Sequence, residues 1–362
     1  MCRGVVVAQV RRGRVDRNTL FESLQGAFVS GALLVIGSGV SAGYGLPTMP
    51  QLAHTLIDEV PRRLVRANVD SGTWAVVSAA LKAGAQLEVA MDTIENGDPI
   101  VSVIEEVTAE AVSARELEAL KALASSRDSR GLPELLSYFG RTAAEPTVVT
   151  TNYDRLIEFA CELENVAVDT GFLGKHLGRF SEEASRNEML IPSRVRRGSV
   201  PSTSRKPHIR LAKPHGSLDW YLVDDAPRFS SAALGLERLM ITPGQSKYLS
   251  AHKPPFDAHM QRAKDAIDIA TSMVFVGYGF NDVHLQTHFP PRLAAGVPTV
   301  VMARSLTDSA RDYLGKHPHI LALERDDSAP EDTLVYQHGT VTRFSGDALW
   351  GIEQLMAEVL IP

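Results

Sequence analysis

The sequence feature that most constrains the fold is a short apolar run that ends in closely spaced glycines. Residues 31–37 are GALLVIG, and residues 38–47 continue SGVSAGYGLP. An unbroken apolar run of this length is typical of a strand buried in a parallel sheet, because both faces of such a strand are covered. Residues 51–60 then carry apolar side chains at helical spacing. Strand, glycine-rich turn and helix predict the opening of a doubly wound nucleotide-binding α/β fold.

Further apolar runs and one long helical stretch extend this prediction. Strands are predicted at residues 147–151, 239–242, 272–277 and 297–302, with short edge elements at 335–336 and 341–343. Residues 61–140 contain no comparable β-branched run and are rich in Ala, Leu, Glu and Lys, which favours helix. The fold class is therefore predicted as α/β, a Rossmann-like doubly wound parallel sheet with a helical insertion.

The predicted organisation has three parts. Residues 1–30 are an N-terminal extension to which no core role is assigned. Residues 31–330 form the Rossmann-like domain, with the helical insertion at about 61–140 and a mobile basic loop at 194–206. Residues 331–362 supply edge elements and a closing helix over 348–359.

Composition excludes several classes of protein. The 362 residues carry a net charge of −6, so nothing global attracts nucleic acid or an anionic membrane. The basic loop could touch phosphates, but a solvated loop is the favoured interpretation. Cys2 and Cys161 cannot form a C-x-x-C zinc site, and their scarcity fits a reducing cytosol. With neither a signal peptide nor an apolar membrane-spanning window, a cytoplasmic protein is expected.

The glycine-rich turn is the first candidate site. Gly37, Ser38, Gly39 and Ser41 are predicted to bind a cofactor, because glycines let backbone amides approach a pyrophosphate. The dinucleotide fingerprint also expects an acidic residue about 20 residues on, for the ribose hydroxyls. The acidic residues at 58–59 lie there within a predicted helix, so the sequence departs from the dehydrogenase pattern.

The second candidate site follows the strand at 147–151. Asn152 stands just past the carboxyl end of that strand, where ligands bind in open α/β sheets. Its amide both donates and accepts hydrogen bonds, which suits orientation of a water or a ribose hydroxyl. The alternative is a helix N-cap, and both hold if Asp154 caps the helix at 155–164 while Asn152 faces the ligand.

The third and fourth candidates are a histidine turn and a late glycine-rich strand end. His215 lies between Pro214 and Gly216, and imidazole can act as a general base near neutral pH, although a structural histidine remains the alternative. Gly277, Gly279 and Asp282 follow the strand at 272–277, and Asp282 either binds ribose hydroxyls or caps a helix. The i, i+4 pair of histidines at 284 and 288 has no evident third ligand, so no metal site is predicted.

Together, and in this order, these motifs resemble the sirtuin family. GSGVSAGYGLP resembles the family's phosphate loop and TTNYD its T-Q-N-x-D segment. His215–Gly216 matches the catalytic His-Gly pair, and GYGFND falls where a late strand end contacts adenosine. The resemblance covers about residues 30–290. It implies NAD as substrate, no metal and catalytic roles for Asn152 and His215. It also implies cofactor binding by Gly277, Gly279, Asp282 and Asp154, with Asp154 orienting this region.

Two departures refine the resemblance. The chain has no C-x-x-C pairs for the zinc ribbon of deacylating sirtuins, and Thr48-Met49-Pro50 replaces their Asp-Phe-Arg. In this it is similar to the zinc-less bacterial antiphage-defence branch. That likeness implies an NAD glycohydrolase releasing nicotinamide and ADP-ribose, and either a homo-oligomer or a partner such as a HerA-type ATPase or an Argonaute-like protein. The alternatives are an NAD-dependent protein deacylase or ADP-ribosyltransferase, and a catalytically silent NAD or ADP-ribose sensor.

Overall fold

A computed structural model describes residues 16–95, 97–125, 131–143, 145–192, 203–242 and 253–361. The helices are α1 (Arg17–Ala27), α2 (Ser38–Gly43), α3 (Met49–Ala67), α4 (Gly72–Lys82), α5 (Leu87–Met91), α6 (Ile100–Ser125), α7 (Leu132–Thr142), α8 (Leu156–Leu163), α9 (Glu182–Asn187), α10 (Phe256–Ile269), α11 (Val283–Gln286), α12 (Phe289–Ala294), α13 (Asp308–Lys316) and α14 (Ile352–Leu355), which continues into a π-helical turn at Met356–Leu360. The strands are β1 (Ala32–Ile36), β2 (Thr147–Thr150), β3 (Ala167–Asp169), β4 (Phe172–Leu173), β5 (Leu177–Phe180), β6 (Leu190–Pro192), β7 (Thr203–Arg205), β8 (His208–Ala212), β9 (Gly216–Val223), β10 (Ala226–Ser230), β11 (Arg238–Met240), β12 (Ser272–Val276), β13 (Thr299–Ala303), β14 (Leu321–Asp326), β15 (Ala329–Gln337) and β16 (Thr340–Phe344).

The main sheet has nine strands in the order β16-β15-β14-β13-β12-β1-β2-β8-β3. It is parallel from β14 to β3, and β15 and β16 add an antiparallel edge. From β1 the chain first builds towards β2 and later returns to place β12 on the other side. This reversal creates the crevice in which doubly wound sheets bind ligands. The predicted fold class is confirmed, as are the strands at 147–151, 272–277 and 297–302.

Central strand β1 is buried along its whole length because each face of the sheet has its own core. Side chains alternate between faces along a strand. Leu34 and Ile36 join the core formed with α1, α7, α8 and the C-terminal turn. Leu33 and Val35 join the opposite core, formed with α10, α12 and α13.

The helical insertion has a hydrophobic core of its own. Leu52, Leu56, Val60 and Leu64 form one apolar stripe on α3 and pack with α4, α5 and the first half of α6. A capping box between Thr48 and Gln51 starts α3, so the helical region begins before the predicted residue 61. Helix α7 falls within the predicted range but packs on the main sheet.

A second sheet, not predicted from the sequence, stands beside the first. It has five antiparallel strands in the order β11-β9-β10-β5-β4. The strand predicted at 239–242 lies here as β11. Residues 203–205, predicted as part of the mobile loop, instead pair with β6, so that part of the prediction is wrong. Residues 194–202 of the predicted loop lie outside the described residues.

The two ends of the described chain meet on one face of the main sheet. Helix α1 buries Leu20 and Leu24 in the main core, and Gln25 Nε2 donates to Val359 O at 2.7 Å. The N-terminal extension of residues 1–30, to which no core role was assigned, thus contains a core helix, and the apolar positions of α1 recur at helical spacing. The predicted C-terminal edge elements are present as β15 and β16, whereas the closing helix begins at Ile352 and not at Ala348. None of the helices described is long and apolar enough to cross a membrane.

Candidate active site

A cleft of about 1610 Å³ opens at the carboxyl ends of β1, β2, β12 and β13. The crevice at a strand-order reversal is the usual ligand site of such sheets. Every residue predicted for the site lines it: Gly37, Ser38, Gly39, Ser41, Asn152, Asp154, His215, Gly277, Gly279 and Asp282. The fold thus brings four segments that are distant in sequence to one place.

The two glycine-rich turns contact each other through their backbones. Gly37 N donates to Val276 O and Gly39 N to Gly277 O, both at 2.9 Å. A Cβ on Gly37 would lie 2.3 Å from Gly277 O, and one on Gly277 would lie 2.5 Å from Val40 N. Two amides of the Gly37–Ser41 turn, those of Gly37 and Gly39, are thus bonded to carbonyl oxygens and not free for a pyrophosphate, while cofactor binding by the turn as a whole stays a prediction.

Asn152 is held by a buried chain of hydrogen bonds. Its Nδ2 donates to Gly37 O at 3.0 Å and to Ser41 Oγ at 2.9 Å, and Ser41 Oγ donates to Asp154 Oδ2 at 2.7 Å. Asp154 Oδ1 accepts from Leu156 N at the start of α8, at 3.2 Å. The predicted division between Asp154, which serves the helix, and Asn152, which lines the cleft, is present in the structure.

The fully buried Lys213, for which no role was predicted, bonds to the backbone of Asp154 and so stabilises this series of hydrogen bonds. Lys213 Nζ donates to Asp154 O at 2.6 Å, Glu158 Oε1 at 2.9 Å and Ser217 Oγ at 3.0 Å. Burial alone would lower the pKa of Lys213, but Glu158, Asp219 and Asp154 raise it overall. Burial raises the pKa of Asp219 to about 6, against the opposing charge of Lys213. In the sequence, the signal that could have indicated this role was a lysine directly after the apolar strand β8.

His215 contacts Asp282 in the cleft. Its Nε2 lies 2.8 Å from Asp282 Oδ2, and both residues are buried. Asp282 Oδ1 accepts from the amides of residues 284 and 285 at 3.0 and 3.1 Å, so Asp282 is a helix cap, as one interpretation predicted. Its other oxygen reaches the imidazole, while binding of ribose hydroxyls stays a prediction.

The turn that carries His215 is fixed against β11 of the second sheet. Ile241 N donates to His215 O at 2.9 Å. Gly216 has φ +81°, and a Cβ there would lie 2.0 Å from Leu239 O. Glycine is therefore required beside His215 for backbone packing.

The helical insertion and two tyrosines complete the wall of the cleft. Tyr153 OH donates to Ile241 O at 2.6 Å, and Glu88 on α5 lines the cleft. Burial, followed by the nearby charges of Glu88 and Asp282, raises the pKa of Tyr153. Burial and the same two carboxylates also raise the pKa of Tyr278. Both phenols therefore stay protonated at neutral pH. Among the residues described, no group of three or more His, Cys, Asp or Glu is placed to hold a metal ion.

A family model described as the SIR2-like domain matches residues 146–338. The chain belongs to the SIR2-like domain family. This is a family of NAD-dependent enzymes. The matched range contains Asn152, His215 and Asp282, and the predicted sirtuin-like relationship is confirmed. No curated protein matches the chain.

Solved sirtuin structures are similar to the SIR2-like chain over most of its length. One that concerns sirtuin substrate affinity has 12% identity and a TM-score of 0.39 over 84% of this chain and 93% of its own. One on the mechanism and regulation of Sir2 enzymes has 12% identity and a TM-score of 0.38 over 84% and 95%. A Sir2 mutant with p53 peptide and NAD has 10% identity and a TM-score of 0.40 over 84% and 92%.

Proposed function

We propose that this protein is an NAD glycohydrolase that cleaves the nicotinamide–ribose bond and releases nicotinamide and ADP-ribose. The observation that carries the proposal is the convergence of three polar residues in one cleft. Asn152 is fixed by two donor bonds, and His215 Nε2 lies 2.8 Å from Asp282 Oδ2. A base, an oriented amide and a carboxylate can together promote addition of water to a ribose carbon, because a positioned base accepts the proton of the water.

In the proposed reaction, the bond between the ribose C1′ and the nicotinamide nitrogen breaks and nicotinamide leaves as a neutral molecule. Positive charge develops on the ribose, and water adds to C1′. His215 accepts the proton of that water, and Asp282 stabilises the resulting imidazolium. Asn152 orients the water or a ribose hydroxyl. NAD and water thus give ADP-ribose, nicotinamide and one proton.

The segment after the first glycine-rich turn supports water as the acceptor. In acyl-transferring sirtuins the segment that follows this turn guides the acyl group. Here Thr48 makes the capping box with Gln51 and Pro50 lies in the first turn of α3, so the same segment begins the helical insertion. The Thr48 side chain thus serves the helix start, and Thr48, Met49 and Pro50, which also line the cleft, stand in place of the Asp-Phe-Arg of acyl-transferring sirtuins, so the proposal names water as the acceptor.

Substitution of the two central residues tests the proposal. Asn152→Ala and His215→Ala should each reduce nicotinamide release from NAD at least 100-fold, the scale of lost general-base catalysis or orientation. Asn187→Ala and His176→Ala, at exposed positions outside the cleft, should keep wild-type rates. Nicotinamide is quantified chromatographically, and circular dichroism checks the fold. Full activity in both site variants would contradict the proposal.

Three other outcomes identify the alternatives. Nicotinamide release that requires an acetylated peptide would indicate a deacylase, and transfer of label from NAD to protein would indicate an ADP-ribosyltransferase. Binding of NAD or ADP-ribose without any nicotinamide release would indicate a silent sensor.

The cellular setting is part of the same proposal. An enzyme that depletes NAD in the cytoplasm needs restraint, and the resemblance to antiphage proteins suggests a homo-oligomer or a partner such as a HerA-type ATPase. The test is the mass of the purified protein in solution, measured alongside NAD consumption with and without the products of neighbouring genes. A monomer whose activity is unaffected by those products would contradict this part.

A further inference from the structure

The cleft extends beyond the glycine-rich turns to two arginines on adjacent strand ends. Arg304 and Ser305 directly follow β13, and Arg325 lies near the end of β14; all three line the cleft. Ala303 of β13 is in register with Glu324 of β14, so Arg304 and Arg325 are the next residues along two paired strands. Two arginines therefore occupy neighbouring positions on this edge of the sheet, and both line the cleft.

These arginines lie on the far side of the glycine-rich turns from Asn152. The sheet order β14-β13-β12-β1-β2 separates β13 from β2 by three strand spacings, which is roughly 14 Å at about 4.8 Å each. In the proposed function, the nicotinamide end of the dinucleotide lies at Asn152 and His215. The adenosine end then reaches β13 and β14.

The charges at this end are available for a ligand. In the part of the chain that the structure describes, Arg304 is exposed and has no ion pair or side-chain hydrogen bond. Among the described residues, the ion pair of Arg325, whose side chain is 19% exposed, is with Asp327, whose side chain is 80% exposed. Such a pair contributes about 0–1 kcal/mol, so a bound anion can displace it.

Glu324, the carboxylate near the end of β14, already accepts hydrogen bonds within the protein. Glu324 Oε1 accepts from Leu306 N at 2.8 Å and from Arg311 Nη2 at 2.7 Å, and Glu324 Oε2 accepts from Tyr336 OH at 2.6 Å. The acidic residues at 58–59, which the fingerprint distance suggested, lie on α3 and do not line the cleft. Trp350 does line it, with its ring 5.9 Å from the Arg325 guanidinium carbon, so an aromatic side chain stands beside Arg325 in the cleft.

Dinucleotide-binding folds accept a ribose 2′-hydroxyl with a carboxylate and a 2′-phosphate with an arginine. We infer that Arg304, Ser305 and Arg325 form a subsite for the 2′-phosphate of an adenosine ribose, so that the cleft takes NADP in preference to NAD. This inference rests on the proposed function for the orientation of the dinucleotide. The guanidinium pair supplies charge-assisted bonds, and the Ser305 hydroxyl supplies a further donor.

The first experiment compares nicotinamide release from NADP and NAD by the full chain. Wild type should have the higher kcat/KM for NADP, and Arg304→Ala should lower the NADP/NAD ratio at least tenfold, mainly through KM. Arg62→Ala, an exposed arginine on α3 outside the cleft, is the matched control and should keep the ratio. An NADP/NAD ratio that Arg304→Ala leaves unchanged would overturn the subsite.

A second measurement does not depend on catalysis. Asn152→Ala protein is titrated calorimetrically with adenosine 2′,5′-bisphosphate and with AMP. The bisphosphate should bind at least tenfold more tightly, and adding Arg304→Ala should remove the difference. If that preference is present but neither dinucleotide is cleaved, the subsite stands and the proposed hydrolysis fails. Equal affinity for the two nucleotides would overturn the subsite whether or not NAD is cleaved.

Discussion

Gly277 is the residue on which the contact between the two glycine-rich turns depends. Its φ is +61°, and a Cβ there would lie 2.5 Å from Val40 N and 3.0 Å from Gly39 Cα. All of these neighbours are backbone atoms, which cannot rotate away as a side chain can. The close approach fixes the first glycine-rich turn, and that turn holds Asn152, because Asn152 Nδ2 donates to Gly37 O within it.

Gly277→Ala should therefore lower both stability and activity. Gly296→Ala is the matched control, since Gly296 also has positive φ (+77°) but open space around it. The control should lose about 1–2 kcal/mol from backbone strain alone. Gly277→Ala should lose about 1–3 kcal/mol more, because the turns must separate. Urea unfolding and nicotinamide release measure both, and equal losses in the two variants would contradict the backbone-contact argument.

At this scale the sequence located the glycines correctly but did not indicate their partners. Glycine spacing after a strand predicts a tight turn, and the structure has one. That Gly37 and Gly39 donate to Val276 and Gly277 depends on a strand more than two hundred residues away. The residues near Gly37 and Gly39 in the sequence do not indicate such a pairing. For the same reason, the bonds between Lys213 and the Asp154 backbone could not be predicted from the PHG motif.

Lys213 should be among the most sensitive charged residues. Lys213→Met removes the ammonium but leaves the carboxylate of Glu158 partly buried without its 2.9 Å partner. Breaking one side of a buried pair costs about 3–5 kcal/mol. Lys121→Met breaks an exposed pair with Glu118 and should cost less than about 1 kcal/mol. Chemical denaturation compares them, and a Lys213→Met loss as small as that of the control would refute the structural role.

Among the elements, α6 connects two hydrophobic cores. Its first half packs Ile100 and Val103 into the core of the insertion, and its second half packs Ala119 and Leu123 into the main core. Between them, Glu105 comes close to Glu237, which immediately precedes β11. Burial, with a smaller contribution from Glu237, raises the pKa of Glu105 from 4.5 to about 7.

This shift predicts how stability depends on pH. Below about pH 4.5 Glu105 is protonated in both folded and unfolded chains. Between about 4.5 and 7 only the unfolded chain loses the proton, so the free energy of unfolding falls as pH rises. Relative to wild type, Glu105→Gln should therefore gain stability as the pH rises through this window. The gain should reach about 1–2 kcal/mol at pH 8, since the side chain is partly exposed.

The control is Glu106→Gln at the neighbouring position, where the carboxylate is 57% exposed and faces Arg63. It should show no such gain between pH 4.5 and 7. Urea unfolding at half-unit steps of pH gives the comparison. A constant difference between Glu105→Gln and wild type across the range would contradict the assignment of the slope to Glu105.

Elements with strong periodicity or long apolar runs were predictable, and those formed by distant pairing were not. The spacing of Leu52 and Leu56 predicts α3, and the apolar run 272–277 predicts β12. The second sheet escaped prediction because β4 has two residues and β9 is buried at its first six positions, without the alternation that marks a half-buried strand. Since β9 begins directly after His215, the sheet that holds the His215 turn in place was not predicted either.

At the scale of the whole molecule, the two ends of the described chain close one core together. Leu24 of α1 and Val359 of the C-terminal turn are both fully buried in the cluster that also contains Leu34 of β1. Arg17 adds ion pairs to Asp347 and Glu358. The core under the central strand is therefore built from residues more than three hundred positions apart, and it forms only when both segments pack together.

The three tryptophans report on separate regions of this molecule. Trp74 lies in the insertion core, Trp220 in the second sheet, and Trp350 packs against the main core. Because α6 contributes to the insertion and the main core at once, we expect the regions to unfold together. Single-tryptophan variants, with the other two tryptophans changed to Phe, should then give coincident urea transitions.

Leu24→Ala tests this coupling from the far end of the main core. Loss of a fully buried leucine should cost about 2–5 kcal/mol, whereas Val65→Ala, at a side chain that is 82% exposed, should change stability by less than about 0.5 kcal/mol. With one cooperative unit, Leu24→Ala lowers the midpoint reported by Trp74 as much as that reported by Trp350. A midpoint at Trp74 that stays at the wild-type value while the others fall would mean that the insertion unfolds independently, and that α6 does not transmit stability between the two cores.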